Sequence, residues 1–122
     1  MRSLTHCLIC TVLALMVELP ARAQAWPVKP IRLIVGWGAG GAPDIFARIV
    51  GQKLYEQVSQ PVIVDNRPGA TGNIGAGIVA GAPPDGYTIF NATLSLAISP
   101  GFYRKLAFDP VASFSPVTML AS

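Results

Sequence analysis

Ile31-Arg32-Leu33-Ile34-Val35-Gly36-Trp37-Gly38-Ala39-Gly40-Gly41-Ala42-Pro43-Asp44 decides the fold. The apolar, β-branched run over 31–37 reads as a strand buried on both faces. Glycines follow at once, and Pro43 opens a helix with Asp44 in its first turn. Glycines let backbone N–H groups approach a ligand, and a helix N-terminus favours negative charge. By its chemistry this is an anion-binding corner.

Working outward, Ile45, Phe46, Ile49, Val50, Leu54 and Val58 recur at helical spacing and predict that helix's buried face, with Gln60-Pro61 ending it. Residues 62–65 form a second strand, closed by the turn Asn66-Arg67-Pro68-Gly69, where Arg67 can pair with Asp65 or Asp85. The glycine- and alanine-rich stretch 70–81 reads as a second helix. A turn at Pro83-Pro84-Asp85-Gly86 leads to a third strand over 87–92, with Tyr87 and Phe90 as core residues. Residues 94–103 suggest a short helix broken at Pro100, and 114–121 a last strand after the turn at Asp109-Pro110. Strand, helix, strand, helix, strand is the pattern of an α/β parallel sheet covered on both faces. Ligands of such sheets sit at the carboxyl ends of the strands. Three loops follow strands here, 36–43, 66–73 and 92–96, and they should converge on one crevice.

The first 25 residues are of another kind. Arg2 precedes an apolar stretch over 7–17, and Ala21-Arg22-Ala23 and Ala23-Gln24-Ala25 are overlapping small-x-small sites. These are the three parts of a cleavable secretory signal peptide, here 1–25. Eleven apolar residues fall short of the ~20 that a spanning helix needs. No cysteine adjoins a cleavage site, so no lipoprotein anchor is expected. His6, Cys7 and Cys10 all lie inside the signal, so the exported part lacks histidine and cysteine. That excludes disulfides, thiol nucleophiles, Ser-His-Asp relays and histidine-bound metals there. Removing Arg2, Glu18 and Arg22 from a chain of net charge +3 leaves about +2. No basic run or aromatic–basic patch supports nucleic-acid binding.

Gly36-x-Gly38-x-x-Gly41 is a literal G-x-G-x-x-G between strand and helix, and Asp65 ends the next strand where a ribose-binding acid belongs. Two features oppose a dinucleotide-dependent oxidoreductase. Asp44 at the helix start would repel a pyrophosphate and compete for its N–H donors, and the chain is exported.

The run Trp26-Pro27-Val28-Lys29-Pro30-Ile31-Arg32-Leu33-Ile34-Val35, then Gly40-Gly41-x-x-Asp44 with Ala47-Arg48, resembles the Bug receptors, the substrate-binding proteins of tripartite tricarboxylate transporters. The resemblance continues through Gln60-Pro61-Val62-Ile63-Val64-Asp65-Asn66-Arg67-Pro68-Gly69-Ala70, Gly72-Asn73-Ile74-Gly75 and Pro84-Asp85-Gly86-Tyr87-Thr88. It runs on to Asp109-Pro110 and Phe114-x-Pro116-Val117. It implies a periplasmic binding protein of type II architecture, with 26–122 as the N-terminal part of its first lobe and the second lobe lacking. Such receptors close on a small ligand, commonly a carboxylate, and hand it to membrane permease subunits. They use no cofactor and no metal and perform no catalysis. The ligand loops matched onto this chain offer Ala39, Gly40, Gly41 and Asp44 from the first, Thr71, Gly72 and Asn73 from the second, and Thr93 and Ser95 from the third. Asp44 is open to a second reading, as a helix cap. The family often has a Val-Pro-Phe-x-Pro-Gly-Gly run where this chain carries Gly36 and Ala39, which leaves the loop less rigid. A non-binding relic or an incomplete gene product stands as the alternative.

Overall fold

A computed structural model describes residues 25–120; the expected signal peptide lies outside the described residues apart from Ala25. The elements are β1 (Ile31–Val35), α1 (Ala42–Val58), β2 (Val62–Asn66), a 3-10 turn (Ala70–Gly72), α2 (Asn73–Ala80), β3 (Thr88–Asn91) and α3 (Leu94–Phe102). The sheet runs β2-β1-β3 with both pairings parallel. Val35 stands opposite Asn66 on one side and Asn91 on the other, so all three strands end at one edge. The chain leaves the central strand first to one side and then to the other, which puts the switch of strand order at the carboxyl end of β1. This is the expected α/β parallel-sheet lobe.

β1 supplies the core, with Ile31, Leu33, Ile34 and Val35 all buried. Leu33 and Val35 meet Val62, Val64 and Ile89 under Ala47 of α1. On the opposite face Gly75 of α2 lies so close that a Cβ there would stand 3.2 Å from Ile34 Cγ2.

The face that α1 turns inward agrees with the expected one only in part, with Val50, Leu54 and Val58 half-buried. Asp44, Ala47 and Gly51 are buried, while Ile45, Phe46 and Ile49 are exposed. Sheet side chains already fill the space beneath the helix, so it approaches on its smallest residues. A Cβ on Gly51 would stand 3.3 Å from Val62 Cγ1.

Three boundaries also depart from expectation. β1 stops at Val35, two residues early, because Gly36 packs against Gly72 and leaves the ladder. The predicted helix over 70–81 is a left-handed turn followed by α2, with positive φ at each of Gly69, Ala70, Thr71 and Gly72. Pro100 does not break α3, which runs on to Phe102 and is closed by Tyr103 N–H donating to Ser99 O at 2.9 Å. A proline this near a helix end costs few backbone bonds.

The expected last strand is absent from 114–120, the part of it among the described residues. A strand needs a neighbour to bond, and Phe114 instead joins an aromatic cluster, 6.1 Å from Phe90 and 5.6 Å from Phe108. Arg67 pairs with Asp65, not Asp85. Arg32 reaches the same carboxylate from β1 and holds it below the usual carboxylate range, with Arg67 adding to the effect.

Candidate functional site

Each strand's carboxyl end runs into a short loop, and each loop opens a helix. Gly41, Gly72 and Thr93 are the N-cap residues of α1, α2 and α3, and none makes a side-chain cap hydrogen bond. Three helix N-termini therefore lie at one edge of the sheet without a capping side chain, and at α2 the Asn73 and Ile74 N–H groups are already bonded to Ala70 O and Gly69 O of the preceding turn. The sequence points to two such termini, near Pro43 and Thr71; the third, behind Thr93, comes from the structure.

The loops touch. A Cβ on Gly36 would stand 2.7 Å from Gly72 Cα, so the first and second loops meet backbone to backbone. Trp37 Nε1 donates to Thr93 Oγ1 at 3.2 Å, and Thr93 Oγ1 is 2.7 Å from Ser95 Oγ, which ties the first loop to the third. Asn91 Nδ2 donates to Pro43 O at 2.7 Å and fixes the start of α1 against the end of β3.

Asp44 sits in the first turn of α1, only 3% exposed, with its carboxylate fully engaged. Oδ2 accepts from Gly40 N–H at 2.9 Å and from Arg48 Nε at 3.0 Å, and Oδ1 accepts from Asn66 Nδ2 at 3.0 Å. Asn66 Nδ2 also donates to Trp37 O at 3.0 Å. The bond from Arg48 and then that from Gly40 hold the Asp44 carboxyl down to about 2, against the opposing effect of burial. The carboxylate thus ties the glycine loop to its helix and to the end of β2. Gly40 adopts φ +84°, a conformation that suits glycine, and Ala39, Gly40 and Gly41 are all exposed at the rim.

In the second loop Thr71 is exposed, Gly72 buried and Asn73 half-buried. Asn73 Oδ1 lies 2.8 Å from Ser99 Oγ, while its Nδ2 is buried without a partner. Thr71 Oγ1 is 3.0 Å from the Tyr103 hydroxyl. The structure brings the nine sequence-predicted residues to one edge of the sheet, with Asp44 turned inward. It adds Arg48, Asn66, Ser99 and Tyr103, which sequence reasoning missed. The last two had a signal, since Ser95, Ser99 and Tyr103 recur every four residues.

The crevice is an open wall. Two grooves of about 530 and 550 Å³ lie elsewhere, one between α1 and β2 around Gly51 and Val62, the other beside Tyr103 and Phe108. No group of three His, Cys, Asp or Glu that could hold a metal ion occurs among the described residues. The means available for binding are backbone N–H groups, hydroxyls and one amide, which suit an anion held without a counter-charge.

Residues 46–122 match the family described as the tripartite tricarboxylate transporter family receptor. A UPF0065 protein of Bordetella bronchiseptica is 42% identical over 118 residues, covering 95% of this chain and 35% of the relative. The periplasmic binding protein BugD superposes with a TM-score of 0.70 at 33% identity, over 75% of this chain and 30% of that one. MatC of Rhodopseudomonas palustris with bound malate gives 0.67 at 32% identity, over 78% and 33% of the two chains. An R. palustris protein with adipate gives 0.64 at 36%, over 70% and 29%. The chain spans about a third of the length of these relatives. From its matched residues and its fold, the chain belongs to the tripartite tricarboxylate transporter receptor family of periplasmic solute-binding proteins.

Proposed function

We propose that this chain supplies one wall of a periplasmic receptor for a small organic carboxylate, handed on to the permease subunits of a tripartite tricarboxylate-type transporter. The observation that carries the reading is the meeting of three helix N-termini, none with a side-chain cap, at one edge of the sheet. Malate and adipate in two solved relatives agree with it. Ala39, Gly40, Gly41, Thr71, Gly72, Asn73, Thr93 and Ser95 contact the ligand, and Asp44 holds the first loop in shape for it. The role is binding without chemistry, and the protein is a receptor, not an enzyme.

A helix terminus favours an anion by about 0.3–1 kcal/mol, and a hydrogen bond to a charged group adds about 1.5–3 kcal/mol. Three termini and one such bond from each loop come to roughly 5–12 kcal/mol, from which about 4 kcal/mol or more of lost ligand freedom is subtracted, whereas a micromolar site needs about 8 kcal/mol net. One wall alone should therefore bind weakly. An NMR titration of the chain with malate and with adipate tests this. Amide shifts are expected at 39–41, 71–73 and 93–95, saturating in the millimolar range, and none with the neutral diamide of malate. Shifts confined to other residues, or none with either acid, would sink the reading.

A further inference from the structure

α3 is apolar except for Ser95 and Ser99, four residues apart and hence on one face of the helix, and Tyr103 follows as its extended C-cap residue. All three serve the binding loops. Ser95 Oγ meets Thr93 Oγ1, which accepts from Trp37 of the first loop. Ser99 is 1% exposed, with its Oγ 2.6 Å from Ser95 O and 2.8 Å from Asn73 Oδ1, two acceptors that share its single proton. The Tyr103 hydroxyl is 3.0 Å from Thr71 Oγ1.

The loop that Ser99 and Tyr103 reach is the one that needs holding. Gly69, Ala70, Thr71 and Gly72 have φ of +129°, +45°, +58° and +90° in succession. Ala70 and Thr71 carry a Cβ that disfavours this region, and a β-branched residue there is a clear outlier. Such a conformation persists only where its surroundings over-determine it. The bonds inside the turn, Gly72 N–H to Gly69 O at 3.0 Å and Asn73 N–H to Ala70 O, form with the turn itself and do not tie it to the sheet. The side-chain hydrogen bonds that tie Thr71 and Asn73 to another element come from the C-cap residue of α3 and from α3 itself.

We infer that Ser99 and Tyr103 are positioning residues, which clamp the left-handed turn 69–72 through Asn73 and Thr71 in the geometry that the crevice uses. That the turn contacts a ligand rests on the proposed function; that α3 clamps it does not. A pre-set loop has no ordering cost when the ligand arrives, so the clamp acts on affinity without touching the ligand.

The test is amide hydrogen exchange on the 122-residue chain, read at Gly72, Asn73 and Ile74 and, as internal reference, at Leu33, Ile34 and Val35. Tyr103→Phe, Thr71→Val and Ser99→Ala are each expected to speed exchange at 72–74 by about threefold to tenfold, the worth of one net hydrogen bond. The reference amides should stay unchanged. Tyr103→Phe combined with Thr71→Val should be no faster than either alone, because both remove the same contact. Unchanged exchange at 72–74, equal acceleration at the reference amides, or multiplying effects in the double variant would overturn the clamp. Adding malate to the same samples keeps the two ideas apart. A clamp that passes in a chain showing no malate shifts leaves the positioning role standing and removes the ligand reading alone.

Discussion

Gly36 and Gly72 meet with no side chain between them: a Cβ on Gly36 would stand 2.7 Å from the Cα of Gly72 and 3.0 Å from its carbonyl oxygen. Both near atoms are backbone, so neither can rotate away. The contact explains why β1 ends where it does and why the first and second loops share an edge. Gly36→Ala must therefore part the two loops or bend β1. A loss of about 1–3 kcal/mol, the usual cost of overpacking, is expected in urea unfolding. An unchanged midpoint would mean that the loops are free to separate.

Asp44 links stability to pH. Its folded pKa is depressed to about 2, chiefly by Arg48, so its contribution is fully present above the ordinary carboxylate range and is lost as pH falls through about 2. Asp65, Asp85 and Asp109 are lowered in the same direction, so wild-type stability should decline from about pH 4 downward. Asp44→Asn removes one share of that decline. Thermal melts between pH 2 and pH 6 should show a shallower slope for the variant, and parallel curves would exclude Asp44 as a source.

The inward face of α1 yields a paired comparison. Gly51→Leu has to push the helix away from Val62 and should cost at least about 1–3 kcal/mol. Ile49→Lys on the exposed side should stay within about 0.5 kcal/mol of wild type. Denaturant titration of both variants decides the matter; the reverse order would mean that the helix packs on its apolar stripe after all.

Calorimetry bears on how much of a binding site one wall supplies. The chain should give no micromolar heat signal with malate or adipate, because the bonds available from three loops, less the ligand's lost freedom, fall short of the free energy that such affinity needs. A micromolar dissociation constant from the 122-residue chain would show that the wall is sufficient by itself.

Much of the fold was legible along the chain because parallel strands and their crossover helices leave local marks. The β-branched run of β1, the Asn66-Arg67-Pro68-Gly69 turn and the alternation of strand and helix each follow from residues close in sequence. The glycine loop was legible for the same reason, and with it the edge where the three loops meet. The helix face was legible only in part, in Val50, Leu54 and Val58. Ile45, Phe46 and Ile49 form the better apolar stripe, yet the sheet's own bulk selects Ala47 and Gly51. The absence of a strand over the described residues 114–120 was not legible, since a segment of strong strand propensity forms no strand without a neighbour to bond.

The sequence by itself determined the order of strands and helices through α3, the parallel sheet and the loops that meet at its carboxyl edge, because periodicity, turn residues and glycines act within a few positions of themselves. Tertiary structure alone decided what the polar groups do. Asp44 is absorbed by Gly40, Arg48 and Asn66, and Thr71 and Asn73 are held by Tyr103 and Ser99 from 32 and 26 residues away. Hydrogen-bond partners at that separation depend on how helices settle on the sheet, and that depends on the volumes packed between them.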